Sequence, residues 1–84
     1  MNKTGFIKKL SEEANISIEK ATLIDSVLED IPIIGKTNKE KIIATLEERI
    51  NINREEAENY YEIASKIMIE AVKYKLRHPF KSID

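Results

Sequence analysis

Ile7-Lys8-Lys9-Leu10-Ser11-Glu12-Glu13-Ala14-Asn15-Ile16-Ser17-Ile18-Glu19-Lys20-Ala21 decides the reading of this chain, because Ile43-Ala44-Thr45-Leu46-Glu47-Glu48-Arg49-Ile50-Asn51-Ile52-Asn53-Arg54-Glu55-Glu56-Ala57 repeats it without a gap. Sliding residues 2–31 against 38–67 matches Asn2/Asn38, Lys3/Lys39, Ile7/Ile43, Leu10/Leu46, Glu12/Glu48, Asn15/Asn51, Ile16/Ile52, Glu19/Glu55, Ala21/Ala57 and Ile31/Ile67. Phe6/Ile42, Ser17/Asn53 and Val27/Ile63 differ in identity but keep physical type. A self-match at a fixed period marks one supersecondary unit used twice.

Within each unit the spacing is helical. Phe6, Ile7, Leu10 and Ala14 make one stripe over a helix from about Lys3 to Ala14, with Lys8, Lys9, Glu12 and Glu13 on the wet side. Asn15 is expected to end that helix in a left-handed backbone, Ile16 to anchor the corner, and Ser17 to cap the next helix. The second helix runs from about Ile18 to Asp30, with Ala21, Ile24, Val27, Leu28 and Ile31 inward, and Pro32 stops it. Residues 32–37 form a connector whose apolar Ile33 and Ile34 are expected to lie against the core.

Thr37-Asn38-Lys39-Glu40 reads as a capping box opening a third helix to about Ile50, with Ile42, Ile43, Leu46 and Ile50 inward. Asn51-Ile52-Asn53 repeats the corner. A fourth helix then runs unbroken to about Arg77, with Ala57, Tyr60, Ala64, Ile67, Met68, Ala71 and Val72 inward. Arg54/Glu58, Glu62/Lys66 and Lys66/Glu70 are pairs four apart on its surface. The expectation is an all-α fold of four helices in one domain, 1–84: two tandem hairpins, 1–31 and 38–78, related by approximate twofold symmetry, with a tail at 79–84.

Composition narrows the function classes. The chain has 84 residues, 14 basic and 15 acidic side chains and no cysteine, so disulfides and thiolate metal sites are excluded and no global attraction to polyanions exists. Its apolar stretches are short and broken by charge, which points to a cytoplasmic protein without a membrane span. At this size the hydrophobic gain barely exceeds the ordering cost, so self-association as a homodimer is in play.

From Met1 to Ile31 the chain resembles the N-terminal helical hairpin of the HU/IHF nucleoid-protein family of bacteria. The resemblance rests on Met1-Asn2-Lys3-Thr4, Ile7, Ser11-Glu12, the Ile16-Ser17 corner, Ala21 and Asp25-Ser26-Val27-Leu28. Through the repeat, a weaker version extends over 38–78. In that family two such hairpins, one per subunit, form the helical base of a dimer, and DNA is held by a β-saddle and β-arms. Here a second hairpin stands where the sheet would begin, and the family's Arg-Asn-Pro arm tip has no match in this sequence. The resemblance therefore implies the helical base with both hairpins in one chain.

Candidate sites divide by chemistry. No catalytic, cofactor-binding or metal-ligating set can be assembled, so the chain reads as a non-enzymatic interaction module needing no cofactor; His78, the sole histidine, lacks an orienter, a nucleophile and further ligands. Ile34-Gly35-Lys36-Thr37 matches the end of a phosphate-binding loop, but Asp30 stands where that pattern needs its first glycine and a helix where it needs a strand. Glu55, Glu56, Glu58 and Glu62 read as a solvated helix face whose early acids suit the positive helix end. Lys73, Lys75, Arg77, His78 and Lys81, interleaved with Tyr74, Leu76 and Phe80, form the one strongly basic segment. Its plain role is to suit the negative end of the helix dipole; its functional alternative is contact with nucleic acid or an acidic partner, as in a nucleoid-associated protein. Ile69, Val72, Leu76 and Phe80 lie beyond the compact repeat, where they either cover the Ile33-Ile34 connector, the preferred reading, or contact another chain. A protein partner or a second copy is favoured over nucleic acid, with no small-molecule substrate implied.

Overall fold

Two asparagines set the topology. Asn15 (φ 55°, ψ 51°) and Asn51 (φ 58°) are the non-glycine residues with left-handed backbone among those described, and each turns the chain between two helices. At the first corner Ile16 N–H donates to the Ser11 carbonyl at 3.0 Å and Asn15 N–H to that of Glu12 at 3.4 Å, closing the carbonyl end of the helix. Ser17 Oγ then accepts from Lys20 N–H at 3.1 Å, and at the second corner Asn53 Oδ1 accepts from Glu56 N–H at 2.8 Å. Both corners therefore open their second helix with a side-chain cap.

The computed structural model describes residues 2–33 and 38–77. They form α1 (Lys3–Ala14), α2 (Ile18–Asp30), α3 (Asn38–Ile50) and α4 (Arg54–Arg77), with no strand among the described residues. Thr37, the expected cap of α3, lies outside the described residues, as do Ile34, Gly35 and Lys36. Asn2 caps α1 by accepting from Gly5 N–H at 2.8 Å, whereas its repeat mate Asn38 donates to the Pro32 carbonyl at 2.8 Å and ties α3 to the connector.

Each hairpin packs its own two helices together, and the first helix of each also packs on the second helix of the other: α1 on α4, α3 on α2. Exchanging the hairpins maps this pattern onto itself, which is the expected twofold relation. The core follows the register of the repeat. Phe6/Ile42, Leu10/Leu46, Ala21/Ala57, Ile24/Tyr60 and Leu28/Ala64 are buried in both copies. Where Tyr60 is larger than Ile24, Ala64 one turn later is smaller than Leu28, so the change conserves volume on one face. Ile7, Ala14, Ile16, Ile31, Ile33, Ile50, Ile52 and Met68 pack against this centre while keeping partial exposure.

Two positions depart from the helical-face reading. Val72, expected inward, is 53% exposed, because α4 continues past the point where another helix could cover it. Asp25 is 7% exposed, and its repeat mate Tyr61 is half-buried against the core. The positions do correspond; the side they share faces inward.

Candidate interaction surface

The C-terminal end of α4 carries the sequence-predicted surface, and the reason it projects is local. Between Arg54 and Arg77 no proline or glycine interrupts the helix, and Ala71, Lys73, Lys75 and Leu76 are good helix formers. Ile67 is the repeat mate of Ile31, where α2 has already ended. At 1.5 Å per residue, Leu76 stands roughly 13 Å beyond Ile67 along the axis. The elongated outline of the molecule, 41 × 28 × 19 Å, reflects this extension.

Ile69 (52% exposed), Val72 (53%) and Leu76 (76%) form an open strip on that end. Ile33 meets the base of the strip, and together with Ser65, Met68, Ile69, Val72 and Lys73 it lines a shallow groove of about 300 Å³. Ile33 thus packs as the connector reading expects and meets Ile69 and Val72 at the groove, while Ile69, Val72 and Leu76 keep half or more of their surface open; Ile34, the other residue of the expected cover, lies outside the described residues. Leu76, one turn beyond Val72, lies past the residues that line the groove. Phe80 lies outside the described residues.

The basic segment divides differently. Lys73 and Lys75 are exposed, but residues two apart on a helix point about 200° from each other, so they do not build one cationic face. Arg77 ends the helix, while His78 and Lys81 lie outside the described residues. At the opposite end of α4, Asn53, Glu55, Glu56, Glu58, Asn59 and Glu62 border an open acidic depression. Three of its four carboxylates have ion-pair partners: Glu58 meets Arg54 at 3.4 Å, Glu62 meets Lys39 at 3.8 Å and Glu56 meets Lys20 at 2.7 Å. No group of three or more potential metal-ligating side chains occurs among the described residues.

Two polar clusters were not singled out by sequence reasoning. Lys20 and Glu56 occupy the same position in the two repeats, so their 2.7 Å contact lies on the pseudo-twofold axis. Tyr60 joins them, donating its hydroxyl to Glu56, with Lys20 Nζ 5.2 Å from its ring centre. Hydrogen bonds from Lys20 and Tyr60 hold the Glu56 carboxyl below its ordinary value, and the Lys20 ammonium is correspondingly raised by Glu56. Burial, and then the hydrogen bond to Glu56, push the Tyr60 phenol up. The signal was available in the repeat: opposite charges at equal positions meet wherever the axis passes.

The second cluster joins α1 to α2. Lys3 Nζ lies 2.6 Å from Glu29 Oε1 and 3.8 Å from Asp25 Oδ2, a buried oxygen without a hydrogen-bond partner. Burial raises the Asp25 carboxyl, Glu29 raises it further, and Lys3 opposes them. Its hydrogen bond to Lys3 lowers Glu29. In the other hairpin Lys39 Nζ sits 5.7 Å from the ring centre of Tyr61, so a cation over an aromatic face stands where the first hairpin has a cation beside a carboxylate.

No helix among the described residues is long and apolar enough to cross a membrane. No family model, curated protein or solved structure matches this chain.

Proposed function

We propose that this protein is a non-enzymatic helical interaction module that docks a protein partner on the C-terminal end of α4. The observation that carries the reading is the contiguity of Ile69, Val72 and Leu76 above the groove walled by Ile33. Single exposed apolar residues are ordinary on a protein surface. A strip of them on one helix face, continuous with a concave apolar groove, is the arrangement that protein partners cover. The resemblance of the first hairpin to the helical base of HU supports the same reading, since that base serves assembly. With the hairpins already paired inside one chain, docking falls to the part of α4 that the repeat does not use.

The test is a photo-crosslinking amino acid placed at Leu76 and, as a control, at exposed Glu48 on α3, followed by irradiation in the native cell. A discrete protein adduct from the Leu76 position alone is the expected result. Absence of any adduct, or equal adducts from both positions, would overturn the reading.

A further inference from the structure

We propose that the first turn of α1, residues 3–6, is a pH-gated flap: it stays wound against α2 while the Asp25 carboxyl is neutral, and it unwinds to let water reach that carboxyl once it is charged. The flap belongs to the first hairpin and does not depend on the docking reading of α4.

Asp25 sits where a charge is poorly tolerated. Its side chain is 9% exposed and its Oδ2 is buried without a hydrogen-bond partner, while Lys3 Nζ, the cation facing it from α1, lies 3.8 Å away and is held closer, at 2.6 Å, by Glu29. Lys3 is 59% exposed, so solvent weakens what it offers a buried carboxylate. Glu29, one turn along α2, adds a like charge. From α3, the other helix packed on α2, the cation that reaches α2 is Arg49, and Asp30 holds it at 2.8 Å. Burial therefore outweighs Lys3, and the Asp25 carboxyl is raised.

Relief is available where α1 is weakest. Its first turn opens with Lys3, Thr4 and Gly5: a cation at the positive end of the helix dipole, a β-branched residue and the poorest helix former after proline, with no acid to favour that end. Its ties are the exposed bond from Gly5 N–H to the Asn2 side chain at 2.8 Å and the bond from Phe6 N–H to the Asn2 carbonyl at 3.0 Å. The repeat supplies the contrast. At the matching positions α3 has Lys39, Glu40 and Lys41, which include an acid in the first turn; Glu40 is tied to Arg54 at 2.8 Å, and Tyr61 stands in place of Asp25. Among the described residues, the first hairpin alone joins a buried carboxyl to a weak turn beside it. Below the ordinary value of 3.8 the neutral carboxyl leaves the turn wound, and as pH rises through the raised folded value the turn lets go.

Carbon NMR of the intact chain reads both halves of the device. The carboxyl-carbon shift of Asp25 follows its ionisation, and the Cα shifts of Thr4, Gly5 and Phe6 follow the winding of the turn. With rising pH those Cα shifts should lose their helical displacement at the midpoint of Asp25, while those of Lys39, Lys41 and Ile42 hold. Asp25→Asn should keep the turn wound over the same rise. Glu29 is lowered and releases Lys3 as pH falls, a separate loss that the variant retains. Gly5→Ala favours the wound turn and should move the Asp25 midpoint further upward, since a firmer flap makes the buried carboxyl harder to charge. A turn that stays wound across the whole Asp25 titration would overturn the flap, as would unwinding that persists in Asp25→Asn.

Discussion

The two hairpins share a register and differ in what they do with it. Leu10 and Leu46 are fully buried, Asn15 and Asn51 turn the chain with nearly the same φ, and Ser17 and Asn53 cap the following helices. These are the positions where the backbone path and the core impose one chemistry on both copies. At other positions the copies have separated. Lys20 faces Glu56 across the axis, Asp25 is replaced by Tyr61, and a helix that Pro32 follows in the first copy runs on to Arg77 in the second. At the corners and at Leu10/Leu46 the hairpin requires one chemistry, whereas at Lys20/Glu56 and Asp25/Tyr61 the pairing of two hairpins permits difference.

The largest effects should fall on the shared core. Leu10→Ala and Leu46→Ala should each cost about 2–5 kcal/mol in urea denaturation, because each side chain is wholly enclosed. If only one of them does so, the two cores are not equivalent and the comparison breaks. The corners come next: Ser17→Ala and Asn53→Ala should each cost about 0.5–2 kcal/mol, and unchanged midpoints in both would remove the caps from the account of the fold. At the axis, Lys20→Glu and Glu56→Lys should each lower the melting temperature by placing like charges together. Combining them should recover most of the loss, since exchanging two groups on a twofold axis reproduces the same contact.

Asp25 sharpens the comparison most finely. Its folded value is raised, so its contribution to stability is fully present below the ordinary value of 3.8 and is lost as pH rises through the raised folded value. Glu29 and Glu56 are lowered and act in the opposite sense, losing their contribution as pH falls; Glu56 has no contact with Asp25, and Glu29 keeps Lys3, its main cause, in the variant. Asp25→Asn should therefore match the parent in acid and gain on it toward neutrality. Urea midpoints measured at both ends of that range give the sign directly, and a constant difference would mean that the carboxylate is not the cause.

Much of this architecture was legible because it depends on residues close in sequence. A left-handed asparagine, a serine cap and a proline act within one turn of themselves, so they locate helix ends without knowledge of the rest. The repeat supplied the long-range part by stating that whatever Leu10 does, Leu46 does too. Asp25 was not legible for the opposite reason. A charged residue between Ile24 and Val27 sits at the margin of an apolar face, and its burial is decided by how widely the neighbouring helices cover that margin. Val72 failed similarly: helical spacing says which face a residue shares, but not how far along the helix a neighbour continues. The Lys20–Glu56 contact could have been drawn from the offset alone, given the location of the axis.

Lys20 and Glu56 also restrict the evolutionary paths open to the chain. Tandem repeats are prone to mutual overwriting, in which one copy is replaced by its twin. A protein built from two first hairpins would set ammonium against ammonium at the centre of its own interface, and one built from two second hairpins would set carboxylate against carboxylate. Either product folds less well than the unequal pair, so a single contact of 2.7 Å gives selection a reason to keep the halves distinct.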